Sequence, residues 1–494
     1  MIGKQDRDQR TLFIAGDLAD FIPDDHILKR VHKVLDLSWL RQAVAGSYCL
    51  DNGRPGIDPE AAVRLMLAGF FAGIKEDRKL MREAQVNLAM RWFAGYRLDE
   101  TLPHHSSLTR IRQRWGEALF QQIFARTVSA CLQAGLVSGE TVHIDATLIR
   151  ADVSWESLTK RHAEHVWEAN APEPRHDDKE GPPPADKGQG VDRPKGEAKK
   201  SSPTDPEATL TTSRHNYPME PAYKQHTVSD DRCGVIVDVA VTTGEASEGQ
   251  RLLETVARVE AATGVAVCAV TADAAYAHST NYEALEQRGI QAVIPPQPQR
   301  PRGTHLPSLR FKYDARRDVV RCPRGKLLTR SSRQDNGWLY RACAQECRAC
   351  PLRARCFSAT ASARTILIVD GYEALLRARR RKRQGWTPEW ERLYQRHRWR
   401  VEGAHGEAKT QHGLRRAARR GLWKVAVQVY LIAAVMNLKR LAMYMQQPPQ
   451  PLLEPWRLVL EALSTLQHGF QSLWAKLTSW KAIPSWLIGH YSFA

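Results

Sequence analysis

At 494 residues the chain exceeds the size of one ordinary domain, about 100–200 residues, and implies two to four structural units with sizeable cores. Its 72 Lys and Arg against 54 Asp and Glu leave a formal charge of +18, with a pI near 9.6. A surplus of that size concentrates polyanions, so nucleic acid is the first partner to weigh against a merely solvated basic surface. The opening MIGKQDRDQRTLFIAGDLADF lacks the layout of an export signal, and Val425 to Leu438 falls short of the ~20 residues of a bilayer span; a cytoplasmic protein with no membrane partner is expected.

From Asp58 to Leu136 apolar residues recur at three and four, predicting a helical domain over 1–137 with Ser106 or Ser107 as a helix cap. Its faces carry Arg78, Arg82, Arg91, Arg110, Arg112 and Arg114, read either as a DNA-end-binding surface or as the solvated arginines of an ordinary bundle. The pattern then changes. TVHIDATLI predicts a strand, with Val142, Ile144 and Ala146 alternating with polar neighbours. From about 155 to 214 the chain is rich in Pro, Gly and charge and reads as a disordered insertion or mobile linker.

AYKQHTVSD and GVIVDVAVTTG, joined through DDRC, form a hairpin; EGQRLLETVARVEAAT is a helix, VAVCAVTAD a strand, HSTNYEALEQRG a helix and QAVIPP a strand. The resulting β-β-β-α-β-α-β order over 138–300 is a mixed α/β, or α+β, layout. A cysteine-rich insert follows over 301–370. Helical periodicity closes the core over 371–445, and the tail 446–494 carries Trp456, Trp474, Trp480 and Trp486 without a motif.

Three acids stand out. Asp145 lies inside an apolar strand, where an ionised side chain is costly unless paired or bound to metal. Asp273 ends a second apolar strand, and Glu402 shares a helix face with Arg398 and Lys409, four residues before it and seven after. A turn or cap role for each aspartate, and a salt bridge to Arg398 for the glutamate, are the ordinary alternatives. Phosphodiester chemistry, by contrast, uses such carboxylates on rigid elements to hold two divalent cations. Glu407 is a rival acid, turned away from the Arg398 and Lys409 face.

HIDATLI, TADAAY and RHRWRVEGAHGEAK resemble the three sequence blocks of DDE transposases from bacterial insertion sequences, the insertion sequence 1182-like group with its Y-R-E-K signature. The helical stretch from DRKLMREAQ to SSLTRIRQR resembles the N-terminal domain of the same group. The resemblance covers about Asp58 to Lys439. It implies an RNase H-like catalytic domain and a metal-binding triad of Asp145, Asp273 and Glu402 with two Mg²⁺ or Mn²⁺. It also implies that Arg398 and Lys409 contact DNA phosphate or order the site, and a nucleoid-associated enzyme. Such an enzyme binds inverted repeats and target in double-stranded DNA, cleaves the ends and joins the freed 3′ hydroxyl to target as a homodimer in a synaptic complex. The signature tyrosine is expected three residues before Arg398, but Gln395 stands there and Tyr394 is one place earlier. A nuclease of similar fold without strand transfer, or a non-catalytic DNA-binding relative, are the rival readings.

Cys322, Cys347, Cys350 and Cys356, with Cys343 as a rival ligand, offer the spacing of a structural Zn²⁺ site; reduced, partly buried thiols are the alternative. The run with Arg379, Arg380, Arg381 and Lys382, and the run with Arg415 and Arg416, flank the Glu402 helix and suit a phosphate-tracking groove. For Trp399 and Trp423, core packing is expected over base stacking.

Overall fold

The computed structural model describes residues 16–49, 56–153, 159–161, 199–201, 204–211, 219–298 and 305–446. Its first part is helical: α1 (Ile27–Val34), α2 (Leu40–Val44), α3 (Pro59–Phe71), α4 (Asp77–Val86), α5 (Leu88–Ala94) and α6 (His105–Gln133). Asp58 starts α3 by accepting from the Glu60 and Ala61 amides, with Pro59 at the first helical position, where its missing N–H costs nothing. α6 is capped by His104, and Ser106 and Ser107 lie inside the helix, so the expected serine cap is corrected.

Two of the arginines expected on exposed faces are buried. Arg91 is 1% exposed and donates to the carbonyls of Arg97, Leu98 and Glu100, turning the chain after α5 around its guanidinium. Arg112 is 5% exposed and forms a two-pronged pair with Asp77 at 2.8 and 2.9 Å. Helical periodicity alone does not separate a solvated arginine from one that meets a buried acid.

The central sheet contains β1 (Thr141–Arg150), β4 (Thr209–Thr211), β5 (Glu220–Asp230), β6 (Ile236–Thr243), β7 (Ala269–Ala272) and β8 (Gln291–Val293); β2 (Thr159–Arg161) and β3 (Lys199–Ser201) pair separately. β5 takes β6 and the short β4 as antiparallel partners and β1 as another, while β7 and β8 continue from β1 in parallel. The β-β-β-α-β-α-β order is thus realised, with α7 (Leu252–Thr263) and α8 (Ser279–Gln287) as connectors and the acid-bearing first and fourth core strands adjacent. The insertion expected over 155–214 ends earlier than predicted, because Asp205 accepts from the Tyr223 hydroxyl and Thr209–Thr211 joins the sheet. Residues 162–198, its Pro- and Gly-rich part, lie outside the described residues, as does 447–494.

A second, fully antiparallel sheet runs β9 (Lys312–Asp314), β10 (Val319–Arg321), β11 (Leu327–Gln334), β12 (Gly337–Ala342), then β13 (Thr365–Val369), around its own core of Phe311, Val320, Leu328, Tyr340, Ile366 and Ile368. The short helices α9 (Ala344–Arg348) and α10 (Arg353–Cys356) sit between β12 and β13 and carry the cysteines. The chain then returns through α11 (Tyr372–Gln384), α12 (Pro388–His397), a π-helical turn (Arg398–Glu402), α13 (Gly403–Gln411) and α14 (Leu422–Tyr444).

α14 is long and apolar enough to cross a membrane by composition, yet 89% of its most apolar window is buried in the protein. Its Asn437 side-chain amide is pinned across the core: it accepts from Ile236 N–H at 2.9 Å and donates to Ile236 C=O at 2.8 Å and to Thr127 on α6. Both Ile236 groups belong to the start of β6 and have no water to replace the amide. Asn437→Ala should therefore cost about 2–4 kcal/mol in urea unfolding, well above the cost of a helix-surface substitution.

Candidate active site

The parallel register of β1 with β7 runs from Thr141 opposite Ala269 to Ile144 opposite Ala272, so the next pair in register is Asp145 and Asp273. The two aspartates expected from sequence are therefore brought side by side, one inside β1 and one at the end of β7. Asp273 also starts a short helical turn by accepting from the Ala275 amide at 2.8 Å. Its cap role and its place beside Asp145 coexist. Burial, reinforced by the charges of Asp145 and Glu248, raises its pKa to about 6, although bonds from the Ala275 and Tyr276 amides oppose the shift.

Asp145 moves the other way. Burial disfavours its charge, but contact with His405 and the Ala146 amide outweighs that cost and lowers its pKa. His405 is buried on α13; its Nδ1 lies 3.4 Å from the Asp145 carboxylate, and its Nε2 lies 2.9 Å from the hydroxyl of Thr227, the residue opposite Asp145 on β5. A single imidazole thus spans helix and sheet.

A second chain of contacts runs beneath. His397 Nδ1 meets the Thr271 hydroxyl at 3.0 Å, that hydroxyl meets His143 Nδ1 at 2.6 Å, and His143 Nε2 meets Asp231 at 2.9 Å. With one proton on the hydroxyl, the consistent assignment is His397 donating to Thr271, Thr271 to His143, and His143 to Asp231. Burial lowers the His397 pKa to about 4, which favours its neutral form at pH 7. Asp231 is further fixed by Arg396 at 2.7 and 2.8 Å. The start of β1 is accordingly buried on both faces, over Val142, His143 and Ile144, rather than alternating as predicted, because His143 spends its polar atoms inside, while Asp145 to Leu148 are half-buried.

Glu402 closes the π-helical turn and is about half exposed, with its carboxylate 3.7 Å from Arg398, the ion pair its helical spacing allows. Among the described residues no group of three or more His, Cys, Asp or Glu stands close enough to hold a metal as placed. The three acids nevertheless share surroundings: burial raises the Tyr394 pKa, and Asp273, Glu402 and Asp145 all add to the rise. Tyr394 stacks against His397, with ring centroids 6.0 Å apart, whereas Gln395 is exposed. Arg398–Glu402 forms a π turn, which takes up one residue more than an α turn would.

Lys409 donates to Thr147 on β1 at 2.5 Å and is mostly buried, while Arg398 is 82% exposed by its side chain. Glu407 is excluded as a rival: Lys439 at 2.8 Å, His412 and Arg440 surround it and hold its pKa at about 2 against the penalty of burial. Sequence reading missed His405, His397, Thr271 and Glu248. His405, three residues after Glu402 on the same helix, carried a readable signal; the others are joined only by the fold.

In the first basic run Arg381 pairs with Glu286 at 3.2 Å and Arg379 is half-buried beside Tyr372, leaving Arg380 and Lys382 exposed, the latter over the Trp386 ring at 3.7 Å. Arg415 and Arg416 are both exposed, and Arg416 lies 3.6 Å from Asp152. Core packing, expected for Trp399, is overturned: the ring is 81% exposed, on the π turn next to Arg398. Cys322, Cys347, Cys350 and Cys356 line one cavity of about 40 Å³, from which Cys343 is absent. Burial pushes the Cys356 thiol up, Arg364 opposes, and the other three thiols add to the rise.

Residues 16–114 match the family described as Transposase domain (DUF772), and residues 321–442 match the family described as Transposase DDE domain. Together they support a DDE transposase. The second match includes Glu402, while Asp145 and Asp273 lie between the two matched spans. No curated protein matches the chain. Among solved structures, the Mos1 transposase paired-end complex with left transposon end is 11% identical over 52% of this chain and 65% of that one, with a TM-score of 0.15. The Mos1 mariner paired end complex with Mn is 10% identical over the same shares, also at 0.15. The chain thus spans about two thirds of those chains or slightly less, and so low a TM-score adds no weight to the fold.

The raised pKa of Asp273 has a measurable consequence in the metal-free protein. A carboxyl whose folded pKa exceeds its unfolded value near 3.8 costs stability above pH 6, where both states are ionised, and costs none below about 4. Asp273→Asn should raise the thermal midpoint at pH 7.5 without divalent ions, and the gain should vanish as the pH falls to 4. A loss of stability at pH 7.5 would contradict the crowding of Asp273 with Asp145.

Proposed function

We infer that the chain is a DNA transposase of the insertion sequence 1182-like group, with an RNase H-like catalytic core in which Asp145, Asp273 and Glu402 hold divalent cations. The observation that carries the reading is the parallel register setting Asp145 beside Asp273 on a sheet against which the Glu402 helix is docked. Two carboxylates in mutual repulsion, one of them pushed towards protonation, are a donor set that a hard cation relieves. Glu402, whose pair with Arg398 is exposed and weak, would move to complete the set. Bound there, two Mg²⁺ or Mn²⁺ ions would activate the attacking oxygen and offset charge on the phosphoryl group in flight.

The remaining roles fall to the protein itself. Arg398, once released, faces the phosphate; Lys409 steadies β1 beside Asp145; Tyr394 takes the place of the signature tyrosine; and Arg380, Lys382, Arg415 and Arg416 track the backbone. End recognition by the helical part, cleavage, and attack of the 3′ hydroxyl on target DNA would proceed in a homodimeric synaptic complex in the cytoplasm. Incubating the full chain with Mg²⁺ and a duplex carrying the element end should give cleaved and strand-transferred products. Asp145→Asn should lower both by at least ~10³-fold, about 4 kcal/mol of barrier, with duplex affinity retained. Hydrolysis without joining would identify a nuclease, and unchanged activity in the variant would remove the assigned site.

The cysteine insert fits a structural ion by its chemistry, four thiols around one small cavity, although they would have to draw closer to ligate it. Protein purified without chelators should carry about one zinc per chain by mass spectrometry, and Cys347→Ser/Cys350→Ser should lose it. Full recovery of zinc in that variant would leave reduced thiols as the reading.

A further inference from the structure

The geometry points to the cleft between α6 and the first turn of α14 as a seat for one phosphate of the DNA backbone, remote from the bond that is cut. The idea deepens the transposase reading and rests on it. The cleft encloses about 400 Å³ and is walled by Arg112 from α6, Arg419 and Arg420 from the second basic run, Trp423 and Lys424 from α14, and Asp152 from the chain after β1. Four cations therefore face a single carboxylate in the walls.

Beneath them Asp77 takes both prongs of Arg112 and, at 2.6 Å, one nitrogen of Arg419. Burial opposes the Asp77 charge, but the two guanidiniums prevail and lower its pKa, so it is a full anion. One buried carboxylate against two guanidiniums leaves a cation uncompensated in a poorly solvated place. The Nε of Arg112 is itself buried without a hydrogen-bond partner. Lys424 has no carboxylate partner among the described residues; its ammonium lies 5.5 Å from the Trp423 ring centroid. The arrangement is short of one anion, and Arg419, which gives Asp77 one nitrogen, keeps the rest of its planar guanidinium for phosphate oxygens.

The surroundings favour a polyanion over a free phosphate. Arg415 and Arg416 are exposed and continue the line of charge from the cleft, in a segment fixed to β1 by Arg150 N–H to Arg415 C=O at 3.2 Å and Ala417 N–H to Arg150 C=O at 2.8 Å. Arg150 lies five residues along β1 from Asp145, roughly 17 Å at ~3.4 Å per residue. Asp152 in the cleft wall stands two residues further along the chain from Asp145 than Arg150 does, so a phosphate seated in the cleft contributes to affinity and not to the chemical step.

The test is the salt dependence of binding, read by fluorescence anisotropy with the full chain and a labelled 40-base-pair duplex of arbitrary sequence. Arg420→Ala/Lys424→Ala removes the two cations that Asp77 does not use and so spares the buried triad; its thermal midpoint should match the unaltered protein. The slope of log affinity against log salt should fall by about 1 and affinity at 150 mM salt by roughly 10-fold, while cleavage at saturating DNA is unchanged. Arg316→Ala/Arg317→Ala removes the same charge from the small sheet and should leave the slope alone. An unchanged slope in the first variant, or an equal fall in the second, overturns the seat while leaving the transposase reading intact. Absence of salt-dependent affinity in the unaltered protein would take both down together.

Discussion

Two carboxylates placed next to each other by strand register repel, and they do so where water is scarce. Most of what surrounds Asp145 and Asp273 manages that repulsion. His405 leans on Asp145 and favours its charge, two backbone amides lean on Asp273, and the remaining repulsion is what a cation in the proposed site would relieve. The same imidazole ties the glutamate-bearing helix to the sheet, with Lys409 on Thr147 and His397 on Thr271 as further ties on either side. The helix that follows Glu402 is thus fixed to the sheet through His405 and Lys409, while the Glu402 side chain itself is about half exposed.

The helical part and the catalytic part are joined by equally specific contacts. Asp77 holds Arg112 of its own bundle and Arg419 of the distant segment, and His412 Nδ1 reaches the Phe70 carbonyl at 2.9 Å. Gly73, at φ +69°, lets the turn after α3 approach so closely that a β-carbon there would sit 2.7 Å from the Gln411 carbonyl oxygen. The end of the helix that carries Glu402 thus rests directly on the bundle.

Much of this arrangement was legible in the residues. An acid inside TVHIDATLI and another ending VAVCAVTAD are local violations of apolar strands, and local violations of that kind mark function. The strand order followed from alternation and turn chemistry. What stayed hidden depends on meetings between distant segments: Arg112 reads as a solvated arginine until Asp77 is opposite it, and Thr271 reads as strand filler until two histidines converge on it. Trp399 was misjudged because the π turn rotates it outwards, and a break in helical phase leaves no trace in composition.

Glu402 and the segment that anchors its helix are drawn from the last quarter of the described chain, whereas both aspartates and the bundle come earlier. A ribosome extends polypeptide from its amino end, so sheet and bundle are available to fold while the glutamate has yet to emerge. An incomplete nascent chain consequently presents Asp145 and Asp273 without Glu402, so the three-acid site proposed above waits on the last part of the chain to be made.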